Sequence, residues 1–215
     1  MLNLLKKELR LAMHPTAPLF LALSAMLMIP NYPYLVVFFY TGLAVYFTCL
    51  NGRENHDVDY TMLLPVGKRD VVRARILLVV LLEWTQLAVS VPFALLRQRL
   101  IPEPNLAGMD ANLALFAVAL LQMGLFNLIF FRLYYRDVRK VGAAFAATCV
   151  MTFLFIAVME AMTYVLPFFR DVLDTPDPEH LLAKLLALLV GVCAFMAFTL
   201  MALRRAEKDF ERQDI

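Results

Sequence analysis

Apolar positions in this chain gather into long runs broken by charge or proline, and the runs are too long for strands. A bilayer-crossing helix needs about 20 predominantly apolar residues. Six segments approach that length: Pro15 to Ile29, Tyr34 to Leu50, Ile76 to Leu96, Ala111 to Phe131, Val141 to Val165 and Leu181 to Leu203. The predicted fold class is therefore all-α, a polytopic membrane protein of six transmembrane helices, with residues 1–215 forming one domain. The first two runs are short for full spans, and the turn from Pro30 to Pro33 between them suits only an antiparallel helical hairpin.

Three further pieces lie outside the runs. In residues 1–13, Leu2, Leu5, Leu9 and Ala12 recur at helical spacing while Lys6, Lys7 and Arg10 are polar, the pattern of an amphipathic entry helix lying in the headgroup layer. Asn51 to Arg75 is the longest basic connection. It mixes acidic, apolar and basic residues and predicts a short helix, a Pro-Gly break and the base of the third span. Phe168 to His180, with Asp171, Asp174, Asp177, Glu179 and two prolines, reads as a solvated loop after a short amphipathic turn.

Charge then orients the runs. Lys6, Lys7 and Arg10, the five basic residues from Arg53 to Arg75, the four from Arg132 to Lys140, and Arg204, Arg205, Lys208 and Arg212 fall on one side, against Arg97, Arg99 and Arg170 on the other. By the positive-inside rule both termini are expected in the cytoplasm. Composition agrees with the membrane reading: 62% of residues are hydrophobic, 18% are charged, and the mean hydropathy is +0.71. The opening residues lack a basic region leading into an apolar stretch and cleavage site, so the N-terminus is expected to be retained. Cys49, Cys149 and Cys193 all sit in apolar runs, as small hydrophobes.

Catalytic chemistry is thin. The one Gly-Lys pair, Gly67-Lys68, lacks the upstream glycine spacing of a phosphate-cradling loop. His14, His56 and His180 fall on both predicted sides, which disfavours a shared metal, and Ser24 and Ser90 lack a nucleophile-elbow setting. No catalytic residue, metal or cofactor is expected for this chain. Ionisable and amide groups inside the runs draw attention instead, because each is costly in hydrocarbon. Glu83 lies roughly 10 Å into the third run, with Gln86 one turn on; the two read as a polar patch on a translocation path or as interhelical glue. Glu160 and Lys184 fall at similar depth and could pair, or Lys184 could snorkel alone. Asn127, Trp84, Tyr134 and Tyr135 read as glue or interface anchors.

The run from Glu54 to Leu77, ENHDVDYTMLLPVGKRDVVRARIL, resembles the segment between the second and third helices of type-2 ABC exporter permeases, and the tail from Ala202 to Ile215 resembles their C-terminal end. The resemblance implies a homo- or heterodimer of six-helix permeases in the bacterial cell membrane. Each would rest on a separate ABC ATPase subunit that holds ATP and Mg and receives a cytoplasmic coupling helix. Small size suits exporters of peptides, including amphipathic toxins of the phenol-soluble modulin kind. Asn55, Asp57, Asp59, Tyr60, Met62, Leu63, Leu64 and Pro65 are the expected contacts to the ATPase, Asp57 and Asp59 meeting its basic groups. The apolar tip could instead dip into the headgroups as an interfacial turn. The expected function is a permease subunit moving an amphipathic peptide or lipophilic cargo, without nucleic acid. The alternative is a non-enzymatic immunity or assembly protein that binds a toxin or partner in the bilayer. A membrane-embedded enzyme is weaker, for want of clustered polar residues at one depth.

Overall fold

The computed structural model describes residues 2–101 and 103–213; Met1 of the predicted entry helix, and Asp214 and Ile215 of the tail, lie outside the described residues. Helices account for the architecture, with no strand among the described residues. In chain order they are α1 (Leu2–Lys7, continued by a π-helical turn, Glu8–Ala12), α2 (Ala17–Ala22, continued as 3-10 helix, Leu23–Met28), α3 (Leu35–Glu54), α4 (Asp57–Met62), α5 (Lys68–Leu100), α6 (Leu113–Tyr134), α7 (Val141–Val165) and α8 (Leu181–Glu211). A second π-helical turn, Phe169–Leu173, follows α7.

Five of these, α3 and α5 to α8, are long and apolar enough to cross a membrane. The first predicted span, Pro15 to Ile29, differs in kind. Leu2–Ala12 and Ala17–Met28 pass the same test only as a pair, and that pair is bent by 84°. Six α-helical and six 3-10 residues reach about 21 Å, short of the roughly 30 Å of hydrocarbon. Prolines 15, 18, 30 and 33 bound and punctuate this stretch, so neither end can lengthen as helix.

Two helices run well past their apolar runs. Charged residues from Lys68 to Arg75 are the first turns of α5, and those from Arg204 to Glu211 are the last turns of α8. These extensions support each other: Arg69 Nε donates to Glu211 Oε1 at 2.7 Å, and Arg73 Nε to Glu207 Oε1 at 2.6 Å. The helices α3, α5, α6, α7 and α8 alternate in direction. One end of the bundle therefore gathers α1, α4, the α6–α7 turn and the end of α8, and is called the basic end below. The other gathers residues 29–34, 103–112 and 166–180, and is called the acidic end.

α6 is the centre. Ala119, Leu115, Phe130 and Phe131 are fully buried on it, and it packs against α3, α7 and, most extensively, α8. Glycine makes the α6–α8 contact possible. A Cβ on Gly191 would stand 2.5 Å from the Ala117 carbonyl oxygen, and one on Gly124 2.9 Å from Phe195 Cα, so the two backbones meet directly. Towards the basic end an aromatic ladder closes the core. Phe126 stacks on Phe130 at 5.4 Å, Phe130 on Tyr134 at 5.8 Å, and Tyr135 meets Phe210 of α8 edge-on at 5.3 Å. The two tyrosines are buried, which fits the first of the two readings, glue between helices, and not the second, an interface anchor. α7 and α8 turn apolar side chains outward, including Val150 at 69% exposure and Leu182 at 74%. Such faces are stable only against lipid or another apolar protein.

Candidate functional site

The segment after α3 builds a projecting knob. His56 takes a left-handed conformation (φ 51°) that reverses the chain into α4, and Thr61 Oγ1 donates to the Asp57 carbonyl at 2.6 Å, tightening the six-residue helix. Leu63, at 81% exposure, Leu64, Tyr60 and Pro65 stand out at its tip. Asp59 is exposed and its Oδ2 meets His56 Nδ1 at 3.0 Å, while Asn55 Nδ2 donates back to Asn51 Oδ1 at 3.0 Å. Met62 does not belong to the tip: it packs inward against the aromatic core of the basic end.

Asp57 corrects the sequence reading more sharply. Its carboxylate is not turned to a partner but bound within the chain, to Arg75 Nη2 at 2.7 Å and Lys7 Nζ at 2.6 Å. Arg75 Nε donates to Glu8 Oε2, and Lys7 also reaches Glu8 Oε1 at 3.0 Å. Two cations and two carboxylates from α1, the π-turn, α4 and α5 thus form a neutral cluster, with Glu8 and Arg75 almost fully buried. This strut fixes α4 to the base of α5. Beside it opens a groove of ≈ 500 Å³, bordered by Arg53, Asp59, Tyr134, Arg136 and Arg139.

The intramembrane polar residues sort into separate sites. Glu83 is buried and faces the bundle, where Asn127 Nδ2 donates to its Oε2 at 2.9 Å and also reaches Thr199 Oγ1 at 3.2 Å. Gln86 does not join it. Its Nε2 donates to Ser24 Oγ at 2.8 Å, and Ser90 Oγ donates to the same oxygen at 3.0 Å, so this triad ties α5 to the 3-10 stretch after α2. Trp84 lies on the outer face of α5, edge-on to Phe195.

At the acidic end Glu160 and Lys184 neither pair nor snorkel. Lys184 is fully buried, with Nζ donating to Asp177 Oδ1 at 2.9 Å and to the Pro176 carbonyl at 3.1 Å. Glu160 Oε2 accepts from the Met109 N–H at 2.9 Å. Gly108 above it has φ +146°, and a Cβ there would overlap the carboxylate, so only glycine fits. The predicted solvated loop is instead one half of a cap over the bundle. Asp174 Oδ1 accepts from the Asp110 N–H at 2.6 Å, Asp177 Oδ2 from the Leu113 N–H at 3.0 Å, and Asn112 Nδ2 donates to the Leu173 carbonyl at 2.8 Å. Burial pushes the Asp174 carboxyl up to about 7, against the lowering effect of the Asp110 N–H. The Asp110 carboxyl is also raised by burial.

Sequence reasoning missed Glu8 as a structural charge, and Arg97, which is buried and donates to Tyr34 Oη at 2.8 Å and the Glu103 carbonyl at 2.8 Å. A signal for Glu8 existed. It is the one acidic residue among the first 53, beside three bases, and an acid embedded in a basic amphipathic segment needs an explanation.

No curated protein and no solved structure matches the chain. A family model does match, over residues 3–204, from within α1 almost to the end of the apolar part of α8. That model describes the ABC-2 family transporter protein, and this chain belongs to that family.

Proposed function

We propose that the chain is the permease subunit of an ATP-driven exporter, working as a homo- or heterodimer with a separate ATPase subunit that binds ATP and Mg. Family membership supports the permease reading and, in general terms, an ATPase partner and a membrane dimer. The observation that carries the coupling role is the exposed tip of α4. Tyr60, Leu63 and Leu64 stand clear of the bundle while the Asp57–Arg75–Glu8 strut holds the helix beneath them. An apolar projection on a rigid mount suits a surface groove on a partner, and a rigid-body movement of that partner would pass into the bundle through the mount. The basic end lies in the cytoplasm of a bacterial cell, where the positive-inside rule puts it. The cargo is an amphipathic peptide or a lipophilic molecule of the kind handled by toxin-peptide exporters.

The test replaces Leu63 and Leu64 by Asp and follows copurification of the ATPase subunit. The variant is expected to insert and dimerise normally while losing the ATPase and transport-coupled ATP hydrolysis. Full retention of coupled hydrolysis would sink the coupling role. Failure of the unmodified chain to copurify with any ATPase would instead favour the immunity or assembly role.

A further inference from the structure

Most basic residues that border the knob and the α5–α8 seam have an acidic partner: Arg53 with Glu54, Arg69 with Glu211, Arg73 with Glu207, Arg75 with Glu8 and Asp57, Lys140 with Asp137. A second groove at the same end breaks this pattern. It lies between α6 and α8, has a volume of ≈ 360 Å³, and is lined by Leu128, Ile129, Arg132, Leu133, Arg136 and Arg205. No carboxylate lines it, and its three arginines form no ion pair among the described residues.

The lining is ordered along the helix axis. Arg132 follows Leu128 and Leu133 follows Ile129 at i+4, so these four lie on one stripe of α6, and Arg136 joins them from the turn just beyond the helix end at Tyr134. Leu128 is about 6 Å deeper in the bundle than Arg132, at 1.5 Å per residue. Arg205 brings the third guanidinium from α8. The groove is therefore cationic at its mouth and apolar at its floor, and it lies on the basic-end side of the direct α6–α8 backbone contacts at Gly124 and Gly191.

We propose that this groove binds an anionic phospholipid of the adjoining leaflet, its phosphate held by Arg132, Arg136 and Arg205 and the start of its acyl chains resting on Leu128, Ile129 and Leu133. Guanidinium forks match phosphate oxygens in charge and geometry. Basic pockets between membrane helices are suited to acidic headgroups, each Arg near the surface adding to the attraction. The apolar floor selects a lipid over a soluble phosphate, which has nothing to place there.

The test titrates phosphatidylglycerol, or phosphatidylcholine of the same chains, into the purified full chain in detergent and counts bound lipids by native mass spectrometry. Phosphatidylglycerol is expected to bind the wild type on the order of 100-fold more tightly than the Arg132→Gln/Arg136→Gln/Arg205→Gln variant. Replacing the same three residues by Lys should recover most of that loss. Replacing the exposed Arg10, Arg204 and Arg212 by Gln removes equal charge outside the groove and should change binding less than fivefold. If the triple variant fails to fold, by circular dichroism and elution volume, Arg205→Gln alone is read, with about a fivefold loss expected. Three results would overturn the site. The control triple could lose as much as the groove triple, leaving only diffuse charge. Glycerol phosphate could displace the lipid, making this a free-anion site. Or the groove variant could bind phosphatidylglycerol normally while losing the ATPase subunit, making the arginines, of which Arg136 also borders the groove beside α4, a protein contact.

Discussion

Arg75→Met is the sharpest probe of the strut beneath α4. The substitution keeps most of the side-chain volume but removes the guanidinium, leaving the Glu8 carboxylate, 1% exposed, and Asp57, 15% exposed, to share Lys7 alone. A neutral cluster becomes one with a net buried negative charge. Breaking a buried ion pair by removing one partner costs about 3–5 kcal/mol. Lys7 remains within 3.0 Å of both carboxylates, which puts the expected cost at the low end, about 3 kcal/mol, or roughly a 100-fold rise in local opening. The chain contains its own reporter. Cys49 is fully buried with Sγ 3.8 Å from Arg75 Nη1, whereas Cys193 is exposed and Cys149 half-buried. In a Cys149→Ala/Cys193→Ala background, the labelling rate of Cys49 by a fluorogenic maleimide measures opening of this corner. Arg75→Met should accelerate labelling by about two orders of magnitude, and adding Glu8→Gln should reverse most of the effect because Asp57–Lys7 is then a balanced pair. An unchanged labelling rate in Arg75→Met, with the bundle folded, would refute the strut.

Three further outcomes follow from the geometry. The Asp174 carboxyl, raised from 3.8 to about 7 in the folded cap, binds more protons folded than unfolded across that interval; its contribution to cap stability is full below about pH 4 and is lost as pH rises through about 7. Hydrogen exchange of residues 103–112 should therefore speed up between pH 5 and pH 8 beyond the intrinsic base catalysis, and Asp174→Asn should remove the excess. Gly191→Val should cost about 3 kcal/mol in thermal or denaturant assays, because the atom in its way is the Ala117 backbone oxygen, whereas Gly142→Ala, with open space around it, should be neutral or slightly stabilising. Asn127→Leu should cost about 1–2 kcal/mol by stripping Glu83 of its donor, and Thr199→Val about 0.6 kcal/mol, the usual size for one interhelical hydrogen bond.

Long apolar runs made the helical class and five of the spans legible, because hydrocarbon thickness leaves a direct mark on sequence. Helix ends were less legible for the same reason: hydropathy marks where lipid stops, not where the backbone ladder stops, so the charged turns at Arg204–Glu211 were hidden, while those at Lys68–Arg75 were legible as the base of the third span through the Pro-Gly break before them. The entry segment differs in one residue. The Met13 N–H bonds the Glu8 carbonyl, an i→i+5 step, and the helical period extrapolated from Leu2 and Leu5 gave no sign that Glu8 is buried. The inward direction of Glu83 followed from the cost of a carboxyl group in lipid, but its partner could not follow, since Asn127 is 44 residues away and nothing local selects it. Lys184 was misassigned because the acceptors around it come from a cap whose folding depends on non-local bonds between residues 105–113 and 173–177.

The connections of α5 give these pieces one mechanical order. Its 33 residues reach about 50 Å in all, and about 35 Å of that runs from Arg75 in the strut, past Glu83 at mid-bundle, to Arg97 and Gln98 beneath the cap. Arg75, Leu78 and Leu82 occupy one stripe at i, i+3 and i+7, and Leu78 and Leu82 pack on Ala17 of α2 and Ala44 of α3. One turn on, Gln86 and Ser90 grip Ser24. A load on the α4 tip thus reaches Arg75 through Asp57, and the face of α5 that Arg75 stands on is the face that holds the bent α2 segment. Glu83 points elsewhere, to α6. Any displacement of the knob must therefore either break the Asp57–Arg75 pair or shift α5 against the short, proline-bounded segment first, and only afterwards against the glycine-locked α6–α8 pair. Because that segment has few buried residues and is bounded by prolines, it is the part of the bundle that can yield at least cost.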